Sequence, residues 1–225
     1  MDISAEQIRW ILIGLFVLIV SVALHEFGHA VMAYKLGDDT PKRQGRVTLN
    51  PLAHADPIGT FLLPLVGGVV AASGGGGGGF GWGKPVQWNP SRIRRGVRMS
   101  TASILVSFAG PAMNLFLALV IALASVLLVS RGVIGGRMEQ ILKFAMNTNF
   151  VLFFFNLLPL PPLDGGHIAQ AFVPYRQREA FDNIAKYGPF VLLALVMIPQ
   201  LRNIFLWPAL TCGEHLYAGL RSLVG

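Results

Sequence analysis

The stretch from Trp10 to Tyr34, WILIGLFVLIVSVALHEFGHAVMAY, decides the fold of this chain. It contains no charged side chain up to Leu24, and apolar residues resume a few positions later. A helix that crosses the hydrocarbon core of a bilayer needs about 20 predominantly apolar residues. The sequence therefore predicts one long membrane helix over residues 8–35. Gly37 then occupies the position just after a helix, where glycine is common.

The composition of the whole chain also indicates a membrane protein. Hydrophobic residues make up 53% of the 225 residues and charged residues only 13%, whereas a soluble domain carries about 25% charged residues. Two further runs, 101–129 and 144–163, contain no charged side chain. We expect an all-α polytopic membrane protein with five to six transmembrane helices. It would form a single membrane-embedded domain over 1–225, with a core at 8–172 and a C-terminal helical hairpin at 187–220.

The net charge of +7 is explained by membrane topology. Basic residues cluster in short loops, as expected for cytoplasmic loops under the positive-inside rule, and no aromatic residues alternate with them as in single-strand nucleic-acid binding. We therefore expect contact with the lipid bilayer and none with nucleic acid. The loops 38–57, 84–100 and 164–186 are predicted to be cytoplasmic, and the N-terminus and 131–140 to lie outside. The clusters are Lys35, Lys42, Arg43 and Arg46; Arg92, Arg94, Arg95 and Arg98; and Arg176, Arg178 and Lys186.

The segments that follow the first helix are irregular. Gly45–Leu49 alternates enough to predict a short strand or β-hairpin. Residues 57–72 are apolar but short, and basic loops flank them on both sides, so we interpret them as a re-entrant segment with non-helical backbone against protein. The glycine-rich stretch 73–83 is typical of a flexible linker. A phosphate-binding loop is excluded, because Pro85 follows Gly83-Lys84 where that motif needs Ser or Thr.

The N-terminus and the cysteine content exclude two other features. The segment before the first apolar run carries Asp2 and Glu6 against Arg9, whereas a signal peptide is net basic. We therefore expect the first helix to be retained. The single cysteine, Cys212, excludes an internal disulfide and a cysteine-based zinc site.

Ionisable side chains interrupt the first apolar run as His25-Glu26-Phe27-Gly28-His29. Two histidines four residues apart lie on one face of a helix, so both imidazoles can reach one zinc ion. Glu26 lies beside them and can take a proton from a water molecule that the ion activates. A charged residue at the centre of a membrane helix costs about 2.5–3.5 kcal/mol of insertion free energy. The alternative, core histidines satisfied by backbone groups, leaves this position without an explanation.

A hydrolytic zinc site uses three protein ligands and leaves one position open. The third ligand is not a histidine six residues after His29, because Lys35 stands there. Asp38, Asp39 and Asp56 are acidic candidates near the cytoplasmic interface.

Asp164 is a further candidate, in the sequence NLLPLPPLDGG from 156 to 166. Pro161 and Pro162 cannot continue a helix, so they would hold the aspartate on an extended segment. A helix cap for residues 167–172 is the other common role for an aspartate in this position.

The pairing of His-Glu-x-x-His with Asn-x-x-Pro-x-Pro-Pro-Leu-Asp-Gly resembles the site-2 protease family of intramembrane zinc metalloproteases, in a compact form without PDZ or CBS domains. The segments AGPAMN (109–114) and NPLAHADPIGT (50–60) are also similar to segments of its compact members. The resemblance covers about residues 20 to 170. It implies His25, His29 and Asp164 as the ligands of one zinc ion and Glu26 as the catalytic base. It also implies that Asn156 lies near the site and steadies the substrate or the developing oxyanion.

The resemblance implies hydrolysis of membrane-anchored protein substrates, as in regulated intramembrane proteolysis. The histidines lie six and ten residues before Lys35, which places the metal about 9–15 Å below the cytoplasmic surface. Addition of an unwound substrate strand to the edge at 45–49 is our hypothesis for docking. A membrane metal transporter or sensor, and an inactive relative that binds membrane helices, remain the alternatives.

Four other polar residues have weaker assignments. We interpret His54 as a polar loop residue near the entrance and His167 as a capping group or a group behind the ligands. His215 is expected to be structural. Asn114 lies in a stripe of small residues and is interpreted as a helix-packing hydrogen bond rather than a catalytic group.

Overall fold

A computed structural model of the protein describes residues 3–74 and 81–224. The chain divides into two compact units, Met1–Val97 and Arg98–Gly225, and each is described by itself. Regular structure in the described residues is entirely helical. The predicted polyglycine linker lies mostly outside the described residues, and the prediction of a single domain over 1–225 stays a prediction.

The first unit is built on a long helix, α1, over Ala5–Lys35. A capping box fixes its start, since the Ser4 hydroxyl accepts from the Gln7 amide and the Gln7 side chain accepts from the Ser4 amide. The helix ends at Lys35 with Leu36 as its C-cap, and Gly37 follows with φ of 110°, a conformation that favours glycine. The helix predicted over 8–35 is confirmed.

The loop after α1 contains no strand, so the β-hairpin predicted at Gly45–Leu49 is wrong. A one-turn helix, α2, covers Thr40–Arg43, and Gly45 turns the chain with φ of 69°. The Arg46 side chain then turns inward and donates to the Ala53 carbonyl at 2.5 Å. A hydrogen bond from the Arg46 side chain therefore holds the loop where a hairpin would use backbone hydrogen bonds between two strands.

The apolar segment 57–72 is helical throughout, which corrects the prediction of non-helical backbone there. It begins with a wide helical turn over Pro57–Leu62 and continues as α3 over Leu63–Ala72. It runs antiparallel to α1, because the Gln7 side-chain amide donates to the Ala72 carbonyl at 2.8 Å and Gly68 lies against Ile11. That the segment enters and leaves the membrane on one side stays a prediction.

Residues 81–89 return along α1 in an extended conformation; we call them the extended segment. Gly81 lies beside Leu18 and Gly83 beside Val22, and Arg94 donates its amide to the Leu36 carbonyl at 2.8 Å. The extended segment therefore follows α1 from its middle towards its C-terminal end.

The second unit is a helical bundle. Its core is formed by α4, Met99–Ser130, α5, Arg137–Asn156, and α9, Pro199–Val224, around a cluster that includes Ala122, Val126 and Phe150. The smaller helices are α6, Asp164–Phe172, α7, Arg178–Ala185, and α8, Gly188–Met197. Helices α8 and α9 pack together, and the C-terminal hairpin over 187–220 stays a prediction.

Asn114 and Asn149 join α4 to α5 inside this bundle. The Asn114 side-chain amide donates to Asn149 Oδ1 at 3.0 Å, and Asn149 donates to the Ala145 carbonyl at 2.9 Å. Both side chains are fully buried. The interpretation of Asn114 as a packing hydrogen bond is confirmed.

Among the residues that the structure describes, two helices are long and apolar enough to cross a membrane, α1 and α4. A third span results if α7 and α8, which bend by 48° at their junction, are taken as one. Helix α5 ends at Asn156, earlier than the run 144–163 suggested, because the chain leaves helical geometry before its prolines. The all-helical class is thus confirmed within the described residues, and the count of five to six transmembrane helices stays a prediction.

Candidate metal centre

The imidazoles of His25 and His29 converge on one point beside α1. Their Nε2 atoms lie 3.0 Å apart and the ring planes are nearly perpendicular. Two nitrogens bound to one tetrahedral zinc at about 2.0–2.1 Å lie roughly 3.3 Å apart. Both side chains are buried. The pair therefore fits two of the ligand positions of a zinc ion.

The Glu26 carboxylate is fixed by a backbone group of the extended segment. Glu26 is buried, and its Oε2 accepts a hydrogen bond from the Val86 amide at 3.0 Å. A buried carboxylate needs such a donor, because an unpaired buried charge is costly. Glu26 follows His25 directly in the sequence, and the Val86 amide fixes one of its two carboxylate oxygens.

The extended segment is held to the rest of the first unit along one edge. The Trp82 amide donates to the Gly59 carbonyl at 3.1 Å and the Lys84 amide to the His54 carbonyl at 2.8 Å. On the same edge, the Trp82 carbonyl accepts from the Thr60 hydroxyl at 2.9 Å. Every second residue is bound to the scaffold, which is the period of an extended strand.

Alternate glycines let this segment lie close against α1. A Cβ atom at Gly83 would lie 2.6 Å from Val22 Cγ1, and one at Gly81 would lie 2.5 Å from the Gly59 carbonyl oxygen. A side chain at Gly83 would push the segment away from α1, and one at Gly81 would push it away from Gly59. Gly83 therefore sets the distance between the segment and α1, which carries Glu26.

Two buried charged residues fasten the loops around the segment. Asp38 is 0% exposed and accepts from the Thr40 amide and hydroxyl and from the Asn89 amide, the last at 2.5 Å. Arg46 is 6% exposed and donates to the carbonyls of Ala53 and Lys84. Side chains of the first unit therefore fix the extended segment at Lys84 and at Asn89.

The neighbouring Asp39 behaves differently because it is exposed. The hydrogen bond from Arg43 lowers the pKa of its carboxyl, and Arg92 on the other oxygen, at 2.6 Å, adds to the effect. These are surface ion pairs, which contribute little to folding. Of the acidic candidates for a third ligand, Asp38 is thus committed to backbone groups and Asp39 to arginines.

Asp56 is committed as a helix cap. Its carboxylate accepts from the amides of Ile58 and Gly59 at the start of the Pro57–Leu62 turn. Asp38, Asp39 and Asp56 each therefore already bind other groups of the first unit.

Asp164 is the first residue of α6 in the second unit. Leu163 occupies the N-cap position, and Asp164 follows it in the first turn. The two roles predicted for the Asp164 carboxylate, zinc ligand and helix cap, both stay predictions. The chain before it turns sharply, with a cis bond between Pro161 and Pro162. Behind it, Gly165 lies against the Leu157 carbonyl so closely that a Cβ there would overlap.

Asn156 is the last residue of α5, in the same unit as Asp164. Its side-chain amide donates to the Leu152 carbonyl one turn earlier, at 2.9 Å. An amide nitrogen carries two protons, so one proton remains after this bond. The structure thus groups His25, Glu26 and His29 on α1, and it places Asn156 and Asp164 at the two ends of the proline-containing turn.

The other histidines have different surroundings. His54 lies in a loop as predicted, but it is buried at 1% exposure, and its Nε2 lies 2.9 Å from the Thr48 carbonyl oxygen; its position near an entrance stays a prediction. His167 is exposed on α6. His215 lies 3.0 Å through Nδ1 from the Thr211 carbonyl on its own helix, as expected for a structural residue.

Sequence reasoning missed the extended segment and its amide donor to Glu26. A backbone group leaves no trace in side-chain motifs. The alternating glycines at 81 and 83 were the available signal, because glycines with period two indicate close backbone approach on one face of a strand.

The comparisons with known proteins agree with this chemistry. The family model for Peptidase family M50 matches residues 13–136 and 132–199. The chain is 41% identical over 212 residues to "Putative zinc metalloprotease YwhC" of Bacillus subtilis, covering 92% of this chain and 90% of that protein. It is 32% identical over 211 residues to "Putative zinc metalloprotease Rip2" of Mycolicibacterium smegmatis, covering 90% and 76%. No solved structure gives a significant match.

Proposed function

The chain belongs to peptidase family M50, and we propose that it is a zinc-dependent endopeptidase that hydrolyses peptide bonds of membrane-anchored proteins. Two apolar helices and this membership make it an integral membrane protein of a metalloprotease family. The observation that carries the proposal is the convergence of the His25 and His29 Nε2 atoms on the same helix as the buried carboxylate of Glu26.

We propose that His25, His29 and Asp164 bind one zinc ion per chain. The two imidazoles meet the spacing of zinc ligands, and a carboxylate is a common third ligand beside two histidines. Asp38, Asp39 and Asp56 are engaged elsewhere.

The zinc ion, when bound, polarises the scissile carbonyl and makes a coordinated water more acidic. Glu26 accepts the proton of the attacking water and then delivers it to the amine nitrogen as the peptide bond breaks. Asn156 has one amide proton to offer to the carbonyl oxygen where negative charge develops. Glu26 can perform both transfers because one of its oxygens remains for the proton while the other is held by Val86.

We propose that the substrate docks on the edge of the extended segment that faces away from the scaffold. Trp82, Lys84 and Val86 use their amides on the scaffold edge, so Gly83 and Gln87 direct theirs to the opposite edge. Within residues 3–74 and 81–224 neither of these two amides donates a hydrogen bond. An unwound substrate could pair with them by strand addition, which replaces our earlier hypothesis of an edge at 45–49.

The proposed location of the reaction is inside the membrane, nearer the cytoplasmic face. The histidine pair lies two to three helical turns before Lys35, the last residue of α1, and basic loops follow this end of the helix. Cleavage at this depth corresponds to regulated intramembrane proteolysis of a single-span or multi-span protein.

The experiment compares wild type with Glu26→Gln, both reconstituted in liposomes with a single-span protein substrate. We expect both to retain about one zinc per chain and only the wild type to cleave. Glu6→Gln, a change about 30 Å away on the same helix, serves as the matched control and should cleave normally. A wild type that binds zinc without cleaving any membrane-anchored substrate would support an inactive relative, and cleavage by Glu26→Gln would refute the role of Glu26.

A further inference from the structure

We propose that the backbone amide of Val86 is a positioning group for Glu26, and that the extended segment holds the base on one edge and the substrate on the other. The inference rests on the proposed function, since it concerns the base of that reaction. The observation behind it is the hydrogen bond of 3.0 Å from the Val86 amide to Glu26 Oε2.

The alternation of the segment's hydrogen bonds gives the amide its direction. Both the amide and the carbonyl of Trp82 are bound on the scaffold edge, as are both groups of Lys84. Val86 is the next residue in this period of two, and on the same edge its amide meets a carboxylate instead of a backbone carbonyl. The Glu26 carboxylate therefore accepts the hydrogen bond that a backbone carbonyl of a neighbouring strand would accept in a sheet.

The register of the segment decides whether Glu26 is held at all. A slip by one residue in one direction would bring Pro85 opposite the carboxylate, and proline has no amide proton. Because the pattern has a period of two, the same slip would also exchange the two edges. The register must therefore be fixed from both sides of Val86.

Thr60 and Asp38 fix it. The Thr60 hydroxyl accepts from the Asp56 amide at 2.8 Å and donates to the Trp82 carbonyl at 2.9 Å, four residues before Val86. The buried Asp38 carboxylate accepts from the Asn89 amide, three residues after Val86. Neither side chain reaches Glu26 in the recorded hydrogen bonds, so both act through the segment.

Adjacent residues of the extended segment should therefore affect different steps of the reaction. The amide of Val86 acts on the base and should affect turnover. The amide of Gln87 lies on the opposite edge and should affect substrate binding. A purely structural role of the segment would not separate kcat from KM in this way.

The test uses Val86→Pro, which removes the amide proton while keeping an extended backbone, and Val86→Ala as the side-chain control. We expect kcat of Val86→Pro to fall about tenfold or more, as for a misplaced catalytic group, with KM within about twofold and zinc content unchanged. Val86→Ala keeps the amide proton and should therefore lose less kcat than Val86→Pro. Gln87→Pro, the matched control on the other edge, should raise KM and leave kcat within about twofold.

A second readout does not depend on turnover. The carboxylate stretching band of Glu26 is isolated as the infrared difference between wild type and Glu26→Gln. It should shift in Val86→Pro and stay in place in Val86→Ala and Gln87→Pro. An unshifted band in Val86→Pro overturns the inference even if no substrate is cleaved. If the wild type has no protease activity but the band still shifts in Val86→Pro, the proposed function fails and this inference stands.

Thr60→Val carries the same test if Val86→Pro does not fold. This isosteric change removes the hydroxyl that fixes Trp82, so we expect the same band shift and a loss in kcat that exceeds any change in KM. Wild-type kcat and an unshifted band in Thr60→Val would overturn the positioning role.

Discussion

Replacement of Gly83 by alanine tests how closely the extended segment must lie against α1. A Cβ atom at this position would lie 2.6 Å from Val22 Cγ1, 3.1 Å from the His54 carbonyl oxygen and 3.4 Å from Glu26 Cγ. Carbon atoms in contact normally lie about 3.5–4.0 Å apart. The segment must therefore move by roughly 1 Å to admit one methyl group.

This movement should reduce both stability and turnover. Overpacking of a close contact costs about 1–3 kcal/mol. The Val86 amide lies 3.0 Å from Glu26 Oε2, so a shift of about 1 Å would break that hydrogen bond. Misplacement of a catalytic group by this amount can reduce the rate by about 100-fold.

The assay combines thermal unfolding in detergent with cleavage of a single-span substrate. Gly219→Ala is the matched control, since nothing lies within 4 Å of a Cβ there and alanine favours the helix by up to about 1 kcal/mol. Val22→Ala combined with Gly83→Ala removes the overlapping methyl and should restore most of the turnover. If Gly83→Ala has wild-type stability and turnover, the close approach of the segment to α1 does not position the base.

Two further substitutions test the supports of each unit. Asp38→Asn should lower the free energy of unfolding by about 3 kcal/mol, because charge-assisted hydrogen bonds contribute about 1.5–3 kcal/mol each. The control Asp39→Asn, at an exposed residue, should leave Tm unchanged. Equal melting temperatures for the two variants would contradict the role given to Asp38. Asn114→Leu should cost about 1 kcal/mol of unfolding free energy, the usual size of an interhelical hydrogen bond in a membrane, with the exposed Asn203→Leu as its control; a loss no larger than in that control would show that the bond to Asn149 is unimportant.

The sequence was sufficient for features that depend on local pattern. The apolar run, the capping residues and Gly37 together predicted the bounds of α1 within a few residues. The motif His-Glu-x-x-His placed the two imidazoles on one face because helical geometry alone decides that.

Features that depend on distant backbone partners could not be predicted in the same way. The alternation at Gly45–Leu49 suggested a strand, but the buried Arg46 side chain donates to the carbonyls of Ala53, 7 residues later, and Lys84, 38 residues later. The extended segment follows a glycine-rich stretch without apolar periodicity, so nothing in its pattern pointed to Glu26. The burial of His54 could not be predicted, because a single histidine in a loop carries no sign of its burial.

The affinity of the purified protein for zinc, measured by competition with a chelator, tests the central claim most directly. We expect wild type to bind one zinc per chain, and His25→Ala, His29→Ala and Asp164→Ala each to bind it at least about tenfold more weakly. Asp182→Ala, a change to an exposed aspartate of the second unit, should bind as the wild type does. Undiminished affinity in folded Asp164→Ala would contradict the assignment of that carboxylate as the third ligand.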